Sequence, residues 1–241
     1  MEIQTKLKWE EFESLFGTWA YKFKPFFDSG ALDRIYAFLK KEGRRGKKIA
    51  PLSFDTWRCF KETSYDELKV AIFGLSPYHT FRKGLPVADG LLMSCVNGGK
   101  LQPSLEKFYE AIERELYDGL HLTYEKTLDT SYLARQGVLM GNISLTCEMN
   151  KAGSHIALWE PFMKYLLEEV LFGTGVPIVF LGKEAGKYEK YVPPFTWHFT
   201  VSHPANSSYM NVDWETDGLF RKINKILKDS NGYEIQWLKT I

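Results

Sequence analysis

The sequence predicts an α/β fold: one three-layer domain spanning residues 1–241, with a central four-stranded parallel sheet flanked by helices. Three observations predict it. Four short, near-continuous apolar runs read as strands buried on both faces. Stretches with helical periodicity separate them. Each run ends in a segment carrying glycine, serine, asparagine or histidine, where an open parallel sheet places its ligand. A length of 241 residues favours one domain, and 44% apolar with 15% aromatic residues suffices for a sizeable core.

In chain order, residues 9–42 read as helical and amphipathic, interrupted by Pro25. Ala31-Leu-Asp-Arg-Ile-Tyr-Ala-Phe-Leu39 puts its apolar side chains on one face. Gly43-Arg-Arg-Gly-Lys-Lys48 is a basic loop, either a solvated turn or a phosphate contact. The strand candidates are Leu68–Phe73, Gly137–Met140, Pro177–Leu181 and Trp197–Val201. Helices are expected over 104–117, 158–172 and 214–228.

Basic and acidic residues nearly cancel, 31 against 30, so nucleic-acid contact must come from a local patch and not from bulk charge. Cys59, Cys95 and Cys147 lie far apart, with no CxxC, which argues against zinc or iron–sulfur sites and fits buried free thiols in a reducing compartment. No apolar signal core opens the chain and no run approaches a membrane span. The expectation is a soluble intracellular protein without cofactor or metal.

The segments after the four runs are Gly74-Leu-Ser-Pro-Tyr-His-Thr80, Gly141-Asn-Ile-Ser-Leu-Thr146, Gly182-Lys183 and Ser202-His-Pro-Ala-Asn-Ser-Ser208. Taken singly, His79 and His203 are ordinary structural histidines. Converging with Tyr78 and Asn142 beyond one sheet edge, they offer a hydrogen-bonding group, an amide and an aromatic wall, which suits a planar polar ligand such as a base. There is no P-loop and no GxGxxG after a strand.

Those same residues carry a resemblance. Gly74-Leu-Ser-Pro-Tyr-His79 resembles the water-activating GQDPYH motif of family 1 uracil-DNA glycosylases, and Ser202-His-Pro-Ala-Asn-Ser-Ser208 falls at that family's HPSPLS DNA-intercalation loop. Gln136-Gly-Val-Leu-Met-Gly-Asn-Ile-Ser-Leu-Thr146 is similar to its QGVLLLNxxLT strand, and Lys151-Ala-Gly-Ser-His155 to its xANSH segment. Trp159-Glu-Pro-Phe162, Lys100-Leu-Gln-Pro-Ser-Leu105 and Gly182-Lys183 follow in family order, from about residue 9 to Trp237. The resemblance implies a flipped base read by Asn142, in a pocket with Leu75 and with Tyr78 blocking a 5-methyl group. It implies that His203 stabilises the departing base, with His79 behind the first layer. Lys183, Ser202, Ser207 and Ser208 then contact DNA.

Three positions depart from the family. Its water-orienting aspartate is Ser76, its aromatic stacking residue is Met93, and its leucine wedge is Ser207. Loss of a positioned carboxylate commonly costs about 10²–10⁴ in rate. Asp89, beside Gly90, is either a substitute carboxylate or a turn residue, and Met93 either a base platform or core packing. Two functions follow. One is a monomeric DNA glycosylase hydrolysing the N-glycosidic bond of uracil or a related pyrimidine, with Ser76 holding the water. The alternative is a weakly active or inactive protein of that fold, binding DNA or a protein partner.

Overall fold

The computed structural model describes residues 8–117 and 123–240. Three helices open it, α1 (Trp9–Phe16), α2 (Ala20–Asp28) and α3 (Ala31–Arg44). Strand β1 (Ile49–Ala50), helix α4 (Arg58–Glu62), strand β2 (Val70–Gly74) and the hairpin β3 (Phe81–Arg82) and β4 (Leu85–Pro86) follow. Next come α5 (Pro103–Tyr117), β5 (Tyr124–Glu125), α6 (Ser131–Ala134), β6 (Val138–Asn142) and β7 (Cys147–Glu148). The remainder is α7 (Ile156–Tyr165), β8 (Ile178–Leu181), α8 (Lys183–Gly186), β9 (His198–Val201), α9 (Pro204–Met210), α10 (Leu219–Asn231) and β10 (Lys239–Thr240).

The four expected strands form one parallel sheet in the order β6-β2-β8-β9. The fold expected from the sequence is the fold observed. Every residue of β2, β6 and β8 is buried, which is why their runs are apolar without alternation. β9 is different: it is the edge, with His198 and Thr200 exposed and Phe199 and Val201 half-buried. Its alternating polar and apolar residues are the period-two pattern of a strand covered on one face.

Two groups of rings pack helices around the sheet. Phe162 of α7 lies within 6 Å of the rings of Phe23, Phe26, Trp57, Phe60 and Trp159. Phe108 of α5, Trp214, Phe220 of α10 and Trp237 form the other.

Several boundaries differ from expectation for local reasons. Pro25 does not break the first helical stretch but lies inside α2. The carbonyl that loses its N–H partner is that of Tyr21, an exposed residue. The break falls at Ser29-Gly30, where Gly30 is left-handed and the Ser29 hydroxyl donates to the Phe26 carbonyl at 2.7 Å. The helix expected over 158–172 starts two residues earlier and ends in a wide turn over Leu166–Val170. The one expected from 214 starts at Leu219, because Asp217 and Gly218 both have positive φ. The basic loop is shorter than drawn, since Gly43 and Arg44 belong to α3.

Phe162→Ala should cost about 3–5 kcal/mol, the usual penalty for emptying a buried aromatic site. A urea unfolding midpoint that barely moves would show that the five rings around it do not depend on one another.

Candidate active site

The cleft lies beyond the carboxyl ends of β2, β6 and β8. Gly74 and Asn142 are register partners at the ends of β2 and β6. The pairing runs on past the strands: Ile143 N–H donates to the Gly74 carbonyl at 2.8 Å and Ser144 N–H to the Leu75 carbonyl at 3.1 Å. Glycine at position 74 leaves room for the neighbouring side chains: a Cβ there would lie 2.8 Å from Asn142 Oδ1 and 2.6 Å from Leu92 Cδ1 and push both aside. Asn142 is 5% exposed, and its Oδ1 has no hydrogen-bond partner among the described residues. A buried acceptor left open is costly unless something donates to it. This one faces a cavity of roughly 700 Å³, also lined by Leu75, Tyr78, Met93 and His203.

His203 comes from the other side. It is the N-cap of α9, with Pro204 at the first helical position, and its Nδ1 accepts the N–H of Ala205 at 3.1 Å. A ring nitrogen that accepts carries no proton, so the neutral ring holds its proton on Nε2. Burial pushes the pKa of His203 down to about 4, so the ring is a neutral N–H donor at physiological pH. Gly182, at φ +95°, lets this ring in: a Cβ there would stand 3.1 Å from the His203 Cβ.

Ser76 lines the floor. Its Oγ accepts the N–H of Gly153 at 3.0 Å, and Cys147 Sγ reaches the Pro77 carbonyl beside it at 3.5 Å. Desolvation pushes the Cys147 thiol up to about 12, so it is no nucleophile. Tyr78 is fixed by a 2.6 Å bond between its hydroxyl and Ser104, and burial holds its phenol far above the usual range. Met93 is buried in the core and also lines the cleft, with φ +62°.

The structure corrects some expectations. Asp89 is no substitute carboxylate. It is buried outside the cleft lining, 3.0 Å from Arg58 Nη1, and accepts from the Ser94 hydroxyl at 2.7 Å and from Val96 N–H at 3.2 Å. Ser207 does not stand at the tip of the last loop. The segment is helical, so Ser207 faces inward with Pro204, three residues before it, and is 5% exposed. Tyr209 and Met210 emerge instead, 88% and 66% exposed, and Tyr209 lines the mouth of the cleft. Ser202 points its oxygens at Trp214, whose Nε1–H donates to them at 2.9 and 3.2 Å. Lys183 and Ser208 do line the cleft, as does His79, whose Nδ1 is buried without a partner among the described residues. The sequence reading missed Gln102, Asn206 and Glu184 in the lining. Glu184 is the one carboxylate there among the described residues, and it is spent on Lys187 at 2.6 Å. No group of acids, histidines and cysteines among the described residues could hold a metal. Among them, too, no helix is long and apolar enough to cross a membrane.

The profile of the uracil DNA glycosylase superfamily matches residues 60–228, a span that holds every cleft residue named above. The chain belongs to this superfamily. A uracil-DNA glycosylase of Pseudomonas aeruginosa is 32% identical over 228 residues, covering 91% of this chain and 93% of that one. One from Caenorhabditis elegans is 29% identical over 224 residues, covering 91% and 76%. The crystal structure of mimivirus uracil-DNA glycosylase superposes with a TM-score of 0.80 at 22% identity, over 97% of this chain and 90% of that one, so the glycosylase fold is shared.

The histidine shift sets a pH dependence. Because folding lowers the pKa of His203 from 6.5 to about 4, the unfolded chain binds a proton first between those values. His203 therefore detracts nothing above pH 6.5 and destabilises the fold as pH falls from 6.5 towards 4, by up to about 3 kcal/mol. His155, also lowered by burial, adds to the same trend. His203→Asn, which keeps a helix cap, should unfold with a shallower loss of stability across that range in urea titrations. An unchanged slope would assign the acid sensitivity elsewhere.

Proposed function

We propose that this chain is a DNA glycosylase that hydrolyses the N-glycosidic bond of uracil, or a related pyrimidine, in DNA. The observation that carries the reading is the pairing of an open buried acceptor with a neutral donor across one cleft. Asn142 Oδ1 awaits an N–H, as the N3–H of uracil provides, while its amide N–H is free to donate to O4. His203 Nε2–H meets the opposite side of the base, where negative charge gathers as the bond to the sugar breaks. A cation there would be a stronger donor but could not be held at neutral pH in a site this buried. In the reaction the N1–C1′ electron pair leaves with the base, water adds at C1′, and the water's proton is released to solvent. Tyr78, locked through Ser104, forms the wall that limits substituents at C5.

Ser76 holds the water in this scheme. One lone pair of its hydroxyl is taken by Gly153 N–H, and its proton makes only a long 3.4 Å bond to the Pro77 carbonyl, so it can turn to a water molecule. It supplies no charge opposite the sugar cation, and Asp89, buried against Arg58 outside the cleft lining, does not replace it, while Glu184 is an exposed residue paired with Lys187. Chemistry slower than a carboxylate would give is the consequence. The same gap supports the second reading, a protein of this fold that binds a flipped base without hydrolysing it.

Ser76→Asp should raise single-turnover excision from a single-stranded uracil oligonucleotide by about 10²-fold or more. Asn142→Ala should abolish it. If wild type and Ser76→Asp are both inert while binding the oligonucleotide, the binding-only reading takes over.

Tyr209 and Met210 are exposed large side chains beside Ser207 and take over in this reading the wedge role that leucine has in the family and that a serine cannot perform. Unstacking costs a few kcal/mol per step, which an inserted apolar side chain offsets. Tyr209→Ala should therefore slow excision from duplex DNA at least tenfold and leave single-stranded substrate nearly untouched. Equal losses on both substrates would place Tyr209 in the chemistry or the fold instead.

A further inference from the structure

The basic loop singled out in the sequence is left over by the cleft. β1 pairs antiparallel with β7, Ile49 against Glu148 and Ala50 against Cys147, and Met149 N–H donates to the Lys48 carbonyl at 2.8 Å. The segment after β7 is in turn stitched to the cleft floor: Asn150 N–H donates to the His79 carbonyl at 2.9 Å and Gly153 N–H to Ser76. The loop therefore pairs with a segment that is itself bonded to the cleft floor.

What it carries there is charge. Lys40, Lys41, Arg44, Arg45, Lys47 and Lys48 share this flank with Lys151 across the β1–β7 pairing, against two carboxylates, Glu42 and Glu148. Seven cations and two acids leave a surplus of five in a chain of formal net charge +1, so all other residues together carry −4. Helix-dipole compensation accounts for Lys41 and Arg44 in the last turn of α3, not for the residues beyond it. Glu148 is shared by Lys47 at 2.8 Å and Lys151 at 3.0 Å, and Glu42 pairs with Arg45. Arg44 and Lys48 have no carboxylate within 4 Å among the described residues, and both are exposed.

We propose that this flank is a second DNA contact, a phosphate track that holds the strand a few nucleotides beyond the one in the cleft. Sequence plays no part, since cations on phosphate position a strand without reading it. The proposal rests on the cleft being a DNA site.

Binding separates the two claims, because it does not need catalysis. Equilibrium binding of a uracil-containing single-stranded 5-mer and 21-mer is measured at 50 and 200 mM salt for wild type and for Arg44→Gln/Lys48→Gln. Each phosphate contact on a single strand contributes about 0.7 to the salt slope, so wild type should lose about sevenfold more affinity for the 21-mer over that range than the double variant. The 5-mer should bind both proteins alike, and Arg44→Lys/Lys48→Arg should match wild type on the 21-mer. Equal salt slopes on the 21-mer, or a loss of equal size on the 5-mer, overturns the track and leaves the cleft reading standing. A wild type that binds neither oligonucleotide overturns both.

Discussion

The contact on which the cleft depends is the close approach of Gly74 to the Asn142 side chain. Two parallel strands end in register, one of them in a residue without Cβ, and the other's amide lies over it with its oxygen free. A side chain at position 74 would displace that oxygen, and a slip in register would turn Asn142 to the other side of the sheet. The pairing that continues into Ile143 and Ser144 ties the loop holding Ser76 and Tyr78 to the same frame. The positions of Asn142 and of the Ser76–Tyr78 loop thus rest on backbone pairing, which is indifferent to most substitutions, with the Tyr78 hydroxyl further tied to Ser104.

Charge is handled in the opposite way. Asn142, Ser76, Tyr78 and His203 bring neutral groups to the cleft lining: an amide, a serine, a tyrosine and an imidazole kept uncharged by burial. The acids nearby are occupied, Asp89 by Arg58 and Glu184 by Lys187. Neutral dipoles fixed in place stabilise charge that appears during a reaction without paying to bury it beforehand. Positive charge is kept outside, on the β1–β7 flank and at Lys183 on the rim.

Much of this was legible in the chain. Fully buried strands announce themselves as unbroken apolar runs, and β2, β6 and β8 were read within about two residues. Asn142, Tyr78 and His203 could be placed together because a parallel sheet gathers its strand ends. What failed was what depends on local twist. An extended loop and a two-turn helix can have the same composition, but only the helix turns Ser207 inward and Tyr209 out. Asp89 could not be judged from sequence either, because its partner Arg58 lies 31 residues away and meets it only in the fold. Hydropathy did not show that β9 is an edge strand, although its alternation carried the hint.

His203 performs two tasks through opposite nitrogens of one ring, capping α9 with Nδ1 and offering Nε2–H to the cleft. The helix fixes the tautomer that the proposed chemistry needs, so the two cannot drift apart: any change that frees Nδ1 also lets the proton migrate. For anyone altering this protein, deletion of His203 is therefore not a clean kinetic probe, because it removes the cap of α9 along with the donor. Asparagine, the best replacement for a helix cap, is the substitution by which shape and chemistry can be told apart.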